Sequence, residues 1–172
     1  MKARLRVAIV TVSDRVAAGL RPDLGGDEVA RCVQASDWTV THRGLVPDER
    51  DAIMAAIEDL CVDADVVVTS GGTGLGPRDV TPEATAAVLD RHAPGIAEAL
   101  RARSLAITPF GMLSRGLAGL VGTTLVINLP GNPKAVTESW DLLGLVLPHA
   151  VETARGPVSD ESHLSMRDRP TP

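Results

Sequence analysis

Tyrosine is absent from this 172-residue chain, phenylalanine occurs once and tryptophan twice, so aromatic residues make up 2%. A core must therefore be assembled from Val, Leu, Ile and Ala, and the stacking platforms of single-stranded nucleic-acid binders are missing. Lysine is confined to positions 2 and 134, and the formal net charge is −5. That excludes the basic stripe of a nucleic-acid-binding domain. Cys32 and Cys61 stand alone, with neither metal-ligand spacing nor a disulfide framework. No apolar stretch is long and uninterrupted enough to cross a bilayer. The N-terminus runs into a strand-like segment rather than a signal peptide. The expectation is a soluble cytoplasmic protein with no membrane or nucleic-acid partner. Hydrophobic content is 44% and charged content 23%, ordinary for a globular chain whose length suits one domain.

Leu5 to Val12 is nearly continuously apolar, as expected of a strand buried on both faces. A glycine-rich turn (Gly19, Gly25, Gly26) leads to a helix over about 27–35. Trp38 to Val46 reads as a weaker strand, interrupted by His42, Arg43 and Gly44. Pro47-Asp48 opens a second helix, with Ile53, Ala56, Ile57 and Leu60 at helical spacing. Val66 to Thr69 is a third strand, followed by a glycine-dense loop and a helix over 82–90 with Pro at its first position. Pro94-Gly95 breaks the chain before a helix over 96–102. The stretch 104–122 reads as loops with short elements. Thr124 to Asn128 is a fourth strand. Leu129-Pro130-Gly131-Asn132-Pro133 then precedes a helix from about Lys134, which Pro148 is expected to kink or end. The expected organisation is one domain over 1–155 and a polar tail over 156–172.

Alternating strands and helices imply a mostly parallel sheet covered on both faces, a three-layer α/β/α sandwich. Ligands of such sheets bind beyond the carboxyl ends of the strands. Four features fall there: Ser13-Asp14, Pro47-Asp48, the glycine loop, and the Pro130–Pro133 turn. The glycine loop, Gly71-Gly72-Thr73-Gly74-Leu75-Gly76, joins a strand to a helix and so suits a phosphate-bearing ligand. It is not a P-loop, because no Gly-Lys-Ser/Thr follows. Nor is it a dinucleotide fingerprint, because the chain turns at Pro77 and no acid ends a second strand about 20 residues on. Hydride transfer is not supported.

An acid within a phosphate loop imposes a condition. Asp79 must turn away, accept backbone N–H bonds in the turn, or share a metal with the ligand. Asp48 precedes a helix and suits an N-cap worth ~1 kcal/mol. Gly71, Gly72 and Gly74 suit either positive φ or close approach of a ligand. Thr73 can cap or bond a phosphate, and Ser13-Asp14 can end its strand in an Asx-type turn. Asn132 suits an N-cap, with Pro133 at the first helical position and the helix start presented to a ligand. Surface positions for His42 and His92, and small core positions for Cys32 and Cys61, are the simplest readings.

SGGTGLGPRDVTPEAT together with INLPGNPKAV resembles the signature pair of the molybdopterin adenylyltransferases, the MogA/MoaB family, related to plant Cnx and animal gephyrin G domains. Thr11-Val12-Ser13-Asp14, Leu45-Val46-Pro47-Asp48 and Met112-Leu113-Ser114-Arg115 extend the likeness over roughly 4–150. The resemblance implies a three-layer α/β/α domain, usually a trimer. It implies Mg²⁺-dependent transfer of AMP from ATP to molybdopterin, releasing pyrophosphate and preparing the pterin for a MoeA-type molybdenum insertase. Asp48 and Asp79 would be the catalytic acids and magnesium ligands. Ser13 and Asp14 would lie on the nucleotide side, and Gly71, Gly72, Thr73 and Gly74 would cradle phosphate. Asn128, Pro130, Gly131 and Asn132 would contact the adenylyl group, and Ser114 molybdopterin or adenylate. Arg78 and Arg115 would meet the pterin phosphate. Two rival functions follow from the same scaffold: a molybdopterin-binding or delivery protein without chemistry, and a hydrolase of nucleotide-like substrates.

Overall fold

The strands do alternate apolar faces with a period of two. Val7, Ile9, Val66, Val68, Leu125 and Ile127 point into one core, and Ala8, Val10, Val12, Val67 and Val126 into another. A sheet apolar on both sides must be covered on both sides. A computed structural model describes residues 4–156 and shows this three-layer arrangement.

In chain order the elements are β1 (Arg6–Val12), α1 (Asp14–Ala17), α2 (Leu24–Ala35), β2 (Thr39–Val46), α3 (Arg50–Cys61), β3 (Val66–Ser70), α4 (Thr81–Val88), β4 (Arg91–His92), α5 (Pro94–Ile107), a 3₁₀ turn (Pro109–Leu113), β5 (Ala118–Val121), β6 (Thr124–Leu129) and α6 (Pro133–Arg155). The sheet order is β2-β1-β3-β6-β5-β4. β2, β1, β3 and β6 run parallel, while β5 is antiparallel to both β6 and β4. Helices α2, α5 and α6 supply one core, and α3 and α4 the other.

Four departures from the sequence reading have local causes. The stretch 104–122, read as loops with short elements, holds β5 as one of them, and the unexpected β4 precedes α5. Both strands are short, and β5 joins β6 through Gly122-Thr123, so neither produces a periodic run. Helix α2 begins at Leu24 rather than Asp27, taking Gly25 and Gly26 into its first turn. A Cβ on Gly25 would lie 2.7 Å from the Gly131 carbonyl oxygen and 2.6 Å from Ser70 Oγ, so glycine lets α2 abut the Pro130–Pro133 turn. Helix α5 starts at Pro94 itself and runs to Ile107. Helix α6 continues through Pro148 because Leu147 and Val151 keep its buried stripe and Arg155 ion-pairs with Asp65 at its end. The polar tail read from 156 lies, from 157 onward, outside the described residues.

β2 is an edge strand, which explains its polar sequence. Its register slips by one residue at Thr41, between the Val7–Val40 and Ala8–His42 pairs. Asp65, buried before β3, accepts from the Arg6 amide (2.9 Å) and guanidinium (3.0 Å) and from Arg155. Burial opposes its charge, but these donors outweigh that and hold its pKa below the ordinary carboxylate value. The charge therefore adds stability above the unfolded pKa, which is lost as pH falls through the depressed folded value. Asp65→Ala leaves two half-exposed arginines without their shared partner. It should cost ~2 kcal/mol and lower Tm by about 4–8 °C, measurable by thermal melts.

Candidate functional site

The carboxyl ends of β1, β2, β3 and β6 bring the four sequence features to one edge of the sheet. Ser13 caps α1, accepting from the Val16 amide at 3.3 Å, which starts a helical turn directly after β1. Asp14 and Asp48 then lock the ends of β1 and β2 reciprocally. The Asp14 amide donates to Asp48 Oδ2 (2.8 Å), and the Asp48 amide to Asp14 Oδ1 (3.0 Å). Asp48 is therefore not the N-cap of α3. Glu49 holds that position without a side-chain bond, because the Asp48 carboxylate is turned toward the site.

The two acids differ electrostatically. Arg78 donates to Asp14 through Nε (3.1 Å) and a terminal nitrogen (2.9 Å), which lowers the Asp14 pKa. Burial raises that of Asp48, and the neighbouring charges of Asp14 and Asp79 raise it further. Three carboxylates thus face one region with Arg78 as their nearby cation. Asp48 lies against the glycine loop: a Cβ on Gly72 would be 3.2 Å from its Oδ1 and 2.3 Å from Thr81 Oγ1. Gly72 also has φ 63° and Gly71 φ 106°, which L side chains rarely adopt.

The loop is held from both ends. Gly71 donates to the Leu129 carbonyl (3.0 Å), Thr81 Oγ1 to the Gly71 carbonyl (2.9 Å), and the Thr81 amide to the Gly72 carbonyl (3.1 Å). Asp79 accepts from the Gly76 amide at 2.9 Å through Oδ2, the turn role read from sequence. The amide of Arg115 donates to the Thr73 carbonyl (2.9 Å), and its guanidinium to the carbonyls of Gly74 (2.7 Å) and Asp79 (2.5 Å) and to Glu83. Arg115 is a staple across the loop. Arg115→Lys keeps the charge but loses the planar fork that spans these acceptors. It should accelerate hydrogen exchange at the Gly76 and Asp79 amides about tenfold, read by mass spectrometry.

Two cavities flank the Pro130–Pro133 turn and share Asn132. One, of about 380 Å³, lies between α5, the 3₁₀ turn and the start of α6, and includes Ser114, Asn128 and Pro130. The other, of about 510 Å³, lies between α1, α2 and β3, and includes Ser13, Gly71 and Gly131. Asn132 caps α6 through the Lys134 amide (3.0 Å), with Pro133 following. Asn128 is buried and occupied: it donates to Thr69 and Thr85 hydroxyls (2.9 and 2.8 Å) and accepts from the Leu117 amide (3.0 Å). Asp48, Arg78 and Asp79 line neither cavity and sit on the glycine-loop side. Cavity-lining residues that the sequence did not single out include Arg101, Ser104 and Ser139 in the first and Arg21 and Asp23 in the second, where the motif residues Thr11 and Ser70 also lie. The recurrence of Ala97, Arg101, Ser104 and Thr108 along one helical stripe was the available signal.

Residues 8–149 match the model of a family described as a probable molybdopterin binding domain. The chain is 36% identical over 155 residues to the molybdopterin adenylyltransferase of Escherichia coli K12, covering 86% of this chain and 80% of that protein. It is 35% identical over 158 residues to the Helicobacter pylori J99 molybdopterin adenylyltransferase, covering 88% and 89%. The crystal structure of the molybdopterin biosynthesis enzyme MoaB from Thermus thermophilus superposes with TM-score 0.83 at 42% identity, covering 89% of this chain and 98% of that one.

Proposed function

The chain belongs to the molybdopterin-binding family of molybdenum cofactor biosynthesis enzymes, and from that premise we propose that it transfers AMP from ATP to molybdopterin. A phosphate oxygen of molybdopterin attacks the α-phosphorus of ATP, the bond to the β-phosphate oxygen breaks, and pyrophosphate leaves. The nucleophile is already anionic at neutral pH, so no strong general base is required. Catalysis then rests on positioning and on offsetting charge.

The observation that carries this reading is the meeting of two cavities at Asn132 beside the glycine loop, which bears Asp79 and against whose Gly72 the Asp48 carboxylate lies. The cavity next to Ser13 and Gly71 suits the nucleotide, and the one next to Ser114 suits the pterin. The start of α6 offers an anionic ligand the positive end of its helix dipole, and glycine at 71, 72 and 74 would let a phosphate approach the backbone closely. Gly72 leaves room for Asp48 to approach the loop.

The donor set fits magnesium. No group of three or more His, Cys, Asp or Glu among the described residues could enclose a metal, and Mg²⁺ is commonly held by one or two carboxylates with substrate phosphates and water completing its shell. Asp48 and Asp79 would be those carboxylates. Bound there, the ion would neutralise phosphate charge during transfer. Asp14, paired with Arg78, orients Asp48 through the reciprocal bonds.

A homotrimer and a MoeA-type insertase as partner belong to the same reading. Leu105, Ile107, Phe110 and Met112 are exposed together around α5 and the 3₁₀ turn, an apolar patch that favours a protein contact. Light scattering would test the trimer. No helix among the described residues is long and apolar enough to cross a membrane. The function is tested by pyrophosphate release with both substrates present. Release that requires molybdopterin supports synthesis. Release from ATP alone points to hydrolysis, and molybdopterin binding without release points to a delivery protein.

A further inference from the structure

The arginines assigned to the pterin phosphate from sequence are both engaged elsewhere. Arg78 forks onto Asp14, and Arg115 staples the glycine loop. A different cation faces the pterin-side cavity. Arg101, on α5, is the one charged residue lining the 380 Å³ cavity, and no carboxylate lines it. Its guanidinium makes one hydrogen bond, to the Gly116 carbonyl at 2.7 Å, and no ion pair among the described residues. By contrast, Arg4, Arg6, Arg31, Arg43, Arg103 and Arg155 all hold carboxylates.

The single bond to Gly116 fixes the guanidinium at the cavity wall and leaves further N–H donors for a ligand. The start of α6 at Asn132, on the same cavity, adds the positive end of a 23-residue helix dipole. Ser104, one helical turn beyond Arg101, and Ser114 add hydroxyls to the same wall. A cavity whose one formal charge is positive selects an anion, and a planar guanidinium matches the oxygens of a phosphate monoester. We propose that Arg101 binds the phosphate of the pterin substrate, holding the attacking group in the pterin-side cavity. This deepens the adenylyl-transfer reading and rests on it for the identity of the ligand.

The test titrates wild type, Arg101→Gln and Arg101→Lys by calorimetry with molybdopterin and with phosphatase-treated molybdopterin. Arg101→Gln should weaken molybdopterin binding about 10- to 100-fold while leaving the affinity for the dephosphorylated form unchanged. Arg101→Lys should recover part of the loss, because it restores the charge without the fork. Equal weakening of both forms would assign Arg101 to support of the Gly116 backbone, or to contact with another anionic group such as the enedithiolate, and would overturn the proposal. Unaltered binding of both forms would overturn it too. Wild-type protein that binds molybdopterin with this phosphate dependence but yields no adenylylated product would sink the transferase reading while leaving the Arg101 assignment intact.

Discussion

Asp79→Asn should lower the rate of adenylyl transfer about 10²- to 10³-fold while leaving the protein folded and molybdopterin binding intact. The substitution is nearly isosteric. An Asn side-chain oxygen can still accept from the Gly76 amide, which Asp79 Oδ2 holds at 2.9 Å, and the Asp79 backbone carbonyl still receives Arg115. What disappears is one negative charge beside Asp48. A charge placed where transition-state charge must be offset is worth about that factor. Steady-state kinetics paired with a thermal melt separate loss of chemistry from loss of fold. Turnover near the wild-type rate would remove Asp79 from the catalytic role.

Asp48→Asn should lower transfer to a similar degree, about 10²-fold or more, without a loss of stability. Burial raises the Asp48 pKa, and the charges of Asp14 and Asp79 add to it. For a group raised in the folded state, stability is fully present below the unfolded pKa and is lost as pH rises through the folded one. At neutral pH the ionised carboxylate therefore opposes folding. The amide removes that charge and can still accept the Asp14 N–H. Tm at pH 7 should equal or exceed that of the parent, and the advantage should shrink as pH falls into the ordinary carboxylate range. A site that loses activity while gaining stability is a mark of charge held for function. A clear drop in Tm at pH 7 would instead make the Asp14–Asp48 lock the main role of the residue.

The arrangement that produces these effects was partly legible in the chain. The apolar runs of β1, β3 and β6 read correctly because strands buried on both faces need no help from distant residues. The helix start at Asn132-Pro133 was equally local. The short antiparallel strands β4 and β5 escaped because two to four residues carry no period. The start of α2 was misplaced because Gly25 and Gly26 look like a turn until the Gly131 carbonyl and Ser70 are set against them.

Side-chain partners were the least legible part of the site. Asp48 has the sequence of an N-cap, and only the return of β1 beside β2 supplies Asp14 as its alternative. Arg78 finds Asp14 across 64 positions, and Arg115 reaches Gly74 across 41. Neither engagement has a local signature. Asn128 ends its strand like a ligand-binding residue, but the hydroxyls of Thr69 and Thr85 occupy its donors. Arg101 carries no mark of its own in the sequence. Its distinction is that the surrounding wall contains no acid, a property of the cavity rather than of the chain.

The central claim is that the glycine loop with Asp48 and Asp79 serves adenylyl transfer to the pterin. Incubation with molybdopterin, Mg²⁺ and ATP labelled at the α-phosphate, with ATP labelled at the γ-phosphate in parallel, tests it most directly. The account predicts that α-label becomes attached to the pterin and γ-label appears only in pyrophosphate, both dependent on molybdopterin. Label recovered as free AMP, with none on the pterin, would contradict it.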